Sequence, residues 1–148
     1  IENHMTKEFR FALNKYLTAI KEDYAKWNGP KSDATEIQER IREEFIQRFF
    51  QSITYDVGKK YLKVVERNSS DPTALMDRVH SFIVMEDSDK FKAGDILMAA
   101  NYNSPATNGK HPVRGNIFGE YEVKWTGALY FNEMKVHGTV VFDQEPVS

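Results

Sequence analysis

The segment from Asn101 to Asn116 concentrates the residue types that bind anionic or aromatic groups. Lysine and arginine attract phosphate, amides and imidazole add hydrogen bonds, and a tyrosine ring offers a face on which a base can stack. Gly109 and Gly115 do not have the spacing of a phosphate-binding loop. The segment therefore predicts a binding loop that uses Tyr102, Lys110, His111, Arg114 and Asn116. The alternative is an ordered surface loop whose asparagines and prolines only build turns.

A second group has the residue types needed for acid–base chemistry. His80, Asp95 and Tyr121 would form a small polar pocket if the fold brought them together. His80 lies in the middle of a strand pattern, however, where a hydrogen-bonded structural histidine is the commoner outcome. No serine lies in a Gly-x-Ser-x-Gly nucleophile motif. The sequence therefore assigns no catalytic residue and favours a protein that is not an enzyme, with this pocket as the alternative.

Composition and charge narrow the function classes further. The 148 residues include no cysteine, which excludes disulfides and thiolate metal sites and fits a reducing compartment. Scattered histidines are a poor basis for any other metal site, so neither a metal nor a cofactor is predicted. The net charge of −2 comes from well-mixed charges, so the whole molecule has no field that attracts nucleic acid. Apolar runs are too short to cross a membrane, and we expect a soluble, cytoplasmic protein without membrane contact.

Two amphipathic helices are predicted first. Over 6–27, apolar residues recur at spacings of three and four, and Asn28-Gly29-Pro30 ends the pattern. A second helix is expected to begin at Ser32 or Asp33. Its apolar stripe comprises Ile37, Ile41, Phe45, Phe49 and Ile53, widened by Ile46 and Phe50. The short connection predicts an antiparallel helical hairpin over 6–56 that packs on a sheet, and a homodimer through these apolar helices is a further hypothesis.

From residue 59 to 143 the pattern is typical of β-strands. Strands are expected at 60–66, 78–85, 94–100, 121–126, 128–131 and 136–142. Alternation in the second of these predicts Ser81 on one face, with His80 and Phe82 on the other. Helices followed by strands indicate an α+β fold with an antiparallel, curved sheet of five to six strands. Residues 1–5 are expected to be an expression remnant and the start, and residues 6–148 a single domain.

Several segments also match a known group of sequences. The matching segments are 60–65, 78–83, 94–97 with 99–100, 114–118 and 127–130. Over about residues 59–131 the chain resembles small uncharacterised proteins encoded by tailed bacteriophages. The resemblance implies a phage origin and a setting in the cytoplasm of the infected bacterium, and it implies no activity. It points to the strand that holds Asp95 and to the segment 114–118.

Taken together, these features predict a phage accessory protein that acts as a non-enzymatic binding module. The expected partner is a host protein or a nucleic acid, bound by the 101–116 loop. One alternative is a small-ligand-binding or enzymatic pocket in a curved sheet. Another alternative is a structural component of the virion.

Overall fold

The computed structural model describes residues 5–67 and 77–128. Its helices are α1 (Lys7–Trp27) and α2 (Glu36–Ser52). Nine strands follow within the described residues: β1 (Ile53–Val57), β2 (Tyr61–Glu66), β3 (Arg78–Val84), β4 (Asp95–Leu97), β5 (Ala99–Asn101), β6 (Ser104–Pro105), β7 (Val113–Asn116), β8 (Val123–Lys124) and β9 (Gly127–Ala128). The strands predicted beyond residue 128 lie outside the described residues.

One antiparallel sheet of five strands dominates the second half of the chain. Its order is β1-β2-β3-β4-β7, so β1 and β7 are its edges and the sheet is not closed. The β5–β6 and β8–β9 pairs form separate two-stranded units. Two helices followed by an antiparallel sheet confirm the predicted α+β fold.

Helix α1 forms where the sequence predicts it because both of its ends are capped. The Thr6 hydroxyl accepts a hydrogen bond from the Phe9 N–H at 3.0 Å, and the Asn28 N–H donates to the Tyr24 carbonyl. The buried face of the helix consists of Phe9, Ala12, Leu13, Tyr16, Leu17 and Ile20. This face packs against the sheet and forms half of the main core.

Helix α2 begins later than predicted. Its N-cap is Thr35 rather than Ser32 or Asp33, because Thr35 and Gln38 form a reciprocal capping box with bonds of 3.1 and 2.9 Å. The helix ends at Ser52, and the next residue already belongs to β1. Helix α2 is therefore joined to the edge strand of the sheet without a linker.

The two helices are antiparallel but staggered. Phe49 stacks on Tyr24 with ring centroids 4.1 Å apart, and Arg42 Nη1 donates to the Asn28 carbonyl at 3.2 Å. Because Arg42 already reaches the end of α1, the earlier turns of α2 extend past it. Phe49 is buried as predicted. The first three residues of the predicted core stripe are instead exposed, by 65% for Ile37, 45% for Ile41 and 46% for Phe45.

The sheet buries side chains on both faces. The inner face, toward α1, contributes Leu62, Val64, Ile83 and Ile96 to the main core. The outer face carries a smaller core of Phe82, Val84, Phe91 and Leu97. Phe91 comes from the connection between β3 and β4, so this connection folds over the outer face.

Strand β3 contains a β-bulge at His80. Its pairing with β2 passes from Val64↔Ser81 directly to Val65↔Val79, so His80 is the extra residue. His80 and Ser81 both reach the inner side, where they contact a residue of α1, while Val79 packs on the outer core. The predicted alternation, with His80 on the face of Phe82, is therefore wrong at this residue.

The predicted 101–116 loop is more ordered than expected. The predicted 94–100 strand divides into β4 and β5, with Met98 between them, and β6 and β7 both lie inside the predicted loop. The connection without regular structure is reduced to residues 106–112.

Gly94 makes the corner that leads into β4. Its N–H donates to the Val84 carbonyl at 2.8 Å, and its own carbonyl accepts from the Ile117 N–H at 2.9 Å. Its φ is +92°, and a Cβ added there would lie 2.6 Å from Phe118 Cδ2 and 2.8 Å from Asn116 Oδ1. Both the backbone conformation and the space therefore require glycine.

Replacing Gly94 with alanine is expected to lower the free energy of unfolding by about 2–4 kcal/mol, because the variant adds both backbone strain and a steric clash. Urea denaturation measures this loss. Gly109→Ala is the matched control, since Gly109 has a φ of +99° but nothing within 4 Å of the added Cβ. The control should lose only about 1 kcal/mol. Equal losses in the two variants would contradict the steric argument.

Candidate functional site

Tyr102, the aromatic residue of the predicted binding loop, lies in the turn between β5 and β6 and is 39% exposed. The Lys63 ammonium of β2 lies 3.9 Å from the centre of its ring, so a cation already occupies one ring face. The Asn101 side chain accepts a hydrogen bond from the Asn103 N–H at 2.9 Å and so shapes this turn. Only the other face of the ring remains for a ligand.

The other residues of the predicted binding loop differ in how deeply they are buried. Lys110 and His111 are exposed in the 106–112 connection. Arg114 and Asn116 lie in β7 and are half-buried. The loop site therefore combines an exposed part with a part built into the edge of the sheet.

Asn116 and Asp95 are brought together, but in a structural role. Asn116 Nδ2 donates to Asp95 Oδ1 at 3.0 Å, and Asp95 Oδ2 accepts from the Lys92 N–H at 2.8 Å. Asn116 Oδ1 accepts from the Phe118 N–H at 2.8 Å. Each of these bonds secures the corner around β4 and the end of β7, so the carboxylate and the amide are both engaged within the chain.

The two other residues of the alternative pocket, His80 and Tyr121, meet around Tyr16 of α1. The Tyr16 ring lies 6.1 Å from the His80 ring and 5.3 Å from the Tyr121 ring, both in edge-to-face contact. Burial raises the pKa of both tyrosines. Asp95 is bound elsewhere, so two of the three predicted residues share one environment and the third belongs to another.

A directed chain of hydrogen bonds runs through this buried group. His80 Nε2 lies 2.8 Å from the Lys124 carbonyl, which can only accept, so Nε2 carries the ring proton. Nδ1 is therefore an acceptor, and the Ser81 hydroxyl donates to it at 2.8 Å. The Ser81 oxygen in turn accepts from the Tyr16 hydroxyl at 2.8 Å. With His80 neutral, every polar side chain in this series of hydrogen bonds therefore has a partner.

The Ser81–His80 pair has the separation of a nucleophile and its general base, but it has no access to substrate. Ser81 has no exposed surface and His80 only 2%, because α1 covers both. Burial also lowers the pKa of His80 to about 4, although the hydrogen bond to the Lys124 carbonyl acts in the opposite direction. The arrangement is suited to holding the core together rather than to catalysis.

An open cleft of about 320 Å³ lies at the outer face of the sheet. Its walls include Tyr61 and Phe91 together with Lys60, Glu86 and Lys90. Lys90 Nζ donates to a backbone carbonyl of the 106–112 connection at 2.6 Å. One of the two lysines that line the cleft is therefore already hydrogen-bonded within the protein. None of the predicted site residues lines this cleft, and its charges are mixed in sign.

A row of exposed apolar side chains lies on α2. We call Ile37, Ile41 and Phe45 the α2 apolar face; they follow one another at intervals of four residues and are each at least 45% exposed. Ile41 and Phe45 also line a cleft of about 270 Å³ beside the connection from α1. Contiguous exposed apolar surface of this kind usually marks a protein interface.

The sequence analysis placed these residues in a buried stripe, with a homodimer through the helices as a further hypothesis, and did not predict their exposure. The signal that the sequence offers is the placement of the charges around α2, where seven of the 17 residues are charged. These charges stand on several sides of the helix and leave little apolar surface for burial on two sides. Helix α2 was therefore too polar to be covered by both α1 and the sheet.

Comparisons with other proteins add no functional assignment. Neither a family model, nor a curated protein, nor a solved structure matches this chain. Among residues 5–67 and 77–128, no group of three or more histidine, cysteine or acidic side chains is arranged to hold a metal ion. None of the helices in these ranges is long and apolar enough to span a membrane.

The hydrogen-bond chain predicts a difference between two conservative variants. Ser81→Ala leaves the Tyr16 hydroxyl without its acceptor and His80 Nδ1 without its donor, and should cost about 2–4 kcal/mol. Tyr16→Phe removes only the terminal donor and should cost about 1 kcal/mol or less. Chemical denaturation measures both values. A larger loss for Tyr16→Phe than for Ser81→Ala would contradict the direction assigned to these hydrogen bonds.

The buried histidine also predicts how stability depends on pH. An unfolded histidine takes up a proton below its ordinary pKa of 6.5, whereas His80 in the folded protein resists it down to about 4. Stability should therefore fall by about 3 kcal/mol as the pH drops from 6.5 to 4. His80→Gln removes this contribution while the other titrating groups stay. Parallel stability curves for the two proteins between pH 7 and 4 would contradict the prediction.

Proposed function

We propose that this chain is a non-enzymatic binding module whose partner is a protein, and that the α2 apolar face is the contact surface. The observation that carries this proposal is the exposure of Ile37, Ile41 and Phe45 along three successive turns of one helix. Removing such side chains from water is the main driving force of protein association. Helical anchors at regular spacing are also a common mode of recognition between proteins.

The surroundings of this face favour a protein over a nucleic acid. Residues of both signs flank it, including Glu44 and Arg48, and the net charge of the whole chain is −2. Nucleic-acid surfaces are instead bound by a predominance of lysine and arginine. The Arg48 guanidinium lies 5.6 Å from the centre of the Phe45 ring, which keeps this ring beside a polar rim.

The resemblance to small phage proteins supplies the proposed setting. In an infected bacterium, the chain would act as an accessory protein, and its protein partner would be a host protein or a second copy of the chain. The binding loop with Tyr102, Lys110, His111 and Arg114 is a second contact surface in this proposal. It ranks below α2 because Asn116 is engaged in the fold and one face of Tyr102 is covered. A pocket for a small ligand and a role in the virion remain alternative predictions.

Phe45→Ser is expected to weaken partner binding at least about tenfold, because an aromatic anchor is lost from the contact. The measurement is protein cross-linking in bacterial lysate, with and without nuclease, from a photoreactive residue placed at position 37. Stability should change little, since Phe45 is 46% exposed.

Phe11→Ser is the matched control for this experiment. Like Phe45, Phe11 is an exposed phenylalanine on a helix, and it is 68% exposed. The Lys15 ammonium lies 5.8 Å from the centre of its ring. It lies on α1, away from the α2 apolar face, and should leave cross-linking unchanged. Equal effects of the two variants would contradict the α2 site. If nuclease abolishes the cross-linking, the result would favour a nucleic acid as the partner instead.

A further inference from the structure

A line of four charges runs beside the α2 apolar face. Its members, at intervals of four residues, are Glu36, Arg40, Glu44 and Arg48. Residues spaced in this way are neighbours on one side of a helix, and all four are exposed. We call them the α2 charged row. Their signs alternate along the helix, so the row has no net charge.

The α2 charged row has no ionic partner of its own within the described residues. Ion pairs on this helix are instead formed by Arg42, which lies 3.1 Å from Glu39 and 3.6 Å from Glu43. Intrahelical pairs between Glu and Arg four residues apart are favourable, but none in the row is within 4.0 Å. The row therefore presents its charges to solvent or to a partner.

The order of signs selects one arrangement of two such helices. When a copy of the row is laid against itself in the antiparallel direction, Glu36 faces Arg48 and Arg40 faces Glu44. The two remaining contacts are the same pairs by symmetry, so four opposite-charge contacts form. In a parallel pair with the apolar faces in contact, the row would instead lie opposite the other flank of the second α2, so its alternating signs would not meet their complements. Charge arrangements of this kind determine the orientation of helix pairs.

The α2 apolar face fits the same arrangement. In an antiparallel pair, Ile41 faces Ile41 of the other copy and Ile37 faces Phe45, which puts the larger side chain opposite the smaller one. The centres of the apolar and charged rows differ by one residue, about 1.5 Å of helix rise, which side chains of this length accommodate. A twofold axis through the middle of the face then relates two identical surfaces, as in most homodimers.

The stagger of the two helices leaves this surface accessible. The turns of α2 before Arg42 extend past the end of α1, and the cleft of about 270 Å³ beside Ile41 and Phe45 can receive an apolar side chain. The face covers only three turns. A contact of this size is typical of a weak, reversible dimer rather than of an obligate one.

Resting on the proposed function, we infer that the protein that occupies the α2 apolar face is a second copy of this chain, packed α2 against α2 in the antiparallel direction.

Charge reversal within the row tests this inference. Sedimentation equilibrium over a wide concentration range should show a monomer–dimer equilibrium for the unmodified chain. Arg40→Glu and Glu44→Arg should each raise the dissociation constant at least about tenfold, because each converts two attractive contacts into repulsive ones. Glu22→Arg, an equivalent reversal at an exposed position of α1, is the matched control and should have no effect.

Two rescue measurements separate the pairing from a folding defect. The double variant Arg40→Glu/Glu44→Arg again has opposite charges in every antiparallel contact and should dimerise as the unmodified chain does. An equimolar mixture of the two single variants should form a heterodimer, although each alone is monomeric. A variant that had merely lost helix stability would not be rescued by mixing.

The inference is overturned if the chain stays monomeric at millimolar concentration, or if a dimer forms that ignores the charge reversals. In the first case, cross-linking to another protein that still depends on Phe45 would keep the proposed function and reject only the second copy. If the chain is monomeric and no cross-link depends on Phe45, the proposed function is rejected as well. Protection of Ile37 from solvent in a monomer, measured by side-chain labelling, would assign the face to another part of the same chain and also overturn the inference.

Discussion

A single buried chain of hydrogen bonds fixes how the elements of this fold sit on one another. It joins Tyr16 of α1 to Ser81 of β3, which is 65 residues later, and His80 to the Lys124 carbonyl, 44 residues further on. A buried hydroxyl or imidazole without a partner destabilises a core by about 1–3 kcal/mol. The rotation of α1, the bulge in β3 and the position of β8 must therefore agree, or polar atoms are left unsatisfied.

The same packing explains why apolar side chains of α2 remain exposed. Helix α1 occupies the inner face of the sheet, and the end of α2 packs beside it mainly through an aromatic cluster. In that cluster, Phe49 stacks on Tyr24, and the Trp125 ring lies edge-on to both, 5.9 and 5.1 Å away. The Asp23 carboxylate accepts a hydrogen bond from the backbone N–H of Trp125 at 2.9 Å and holds the end of β8 beside α1. Nothing in the described part of this arrangement covers the earlier turns of α2, so Ile37 and Ile41 are exposed.

The sequence was sufficient for the features that depend on local pattern. Helix α1, the antiparallel order of helices and strands and the strands β2 and β3 follow from periodicity and capping. It was not sufficient where distant residues decide the outcome. His80 changes face because of a bulge that depends on pairing with β2, and the exposure of Ile37 depends on the stagger against α1. Asp95 and Asn116 were selected as binding residues because of their types, whereas the structure uses both to secure a corner.

The bulge at His80 also bears on how the length of β3 can vary. Because side chains alternate along a strand, removing one residue at most positions would turn every later side chain to the opposite face. Removing residue 80 would not, since Val79 already faces the outer core and Ser81 the inner one. The strand would become regular, with Val79, Ser81 and Phe82 on their present faces. At the bulge a shorter chain therefore keeps both cores, and the added residue serves to bring an imidazole under the helix.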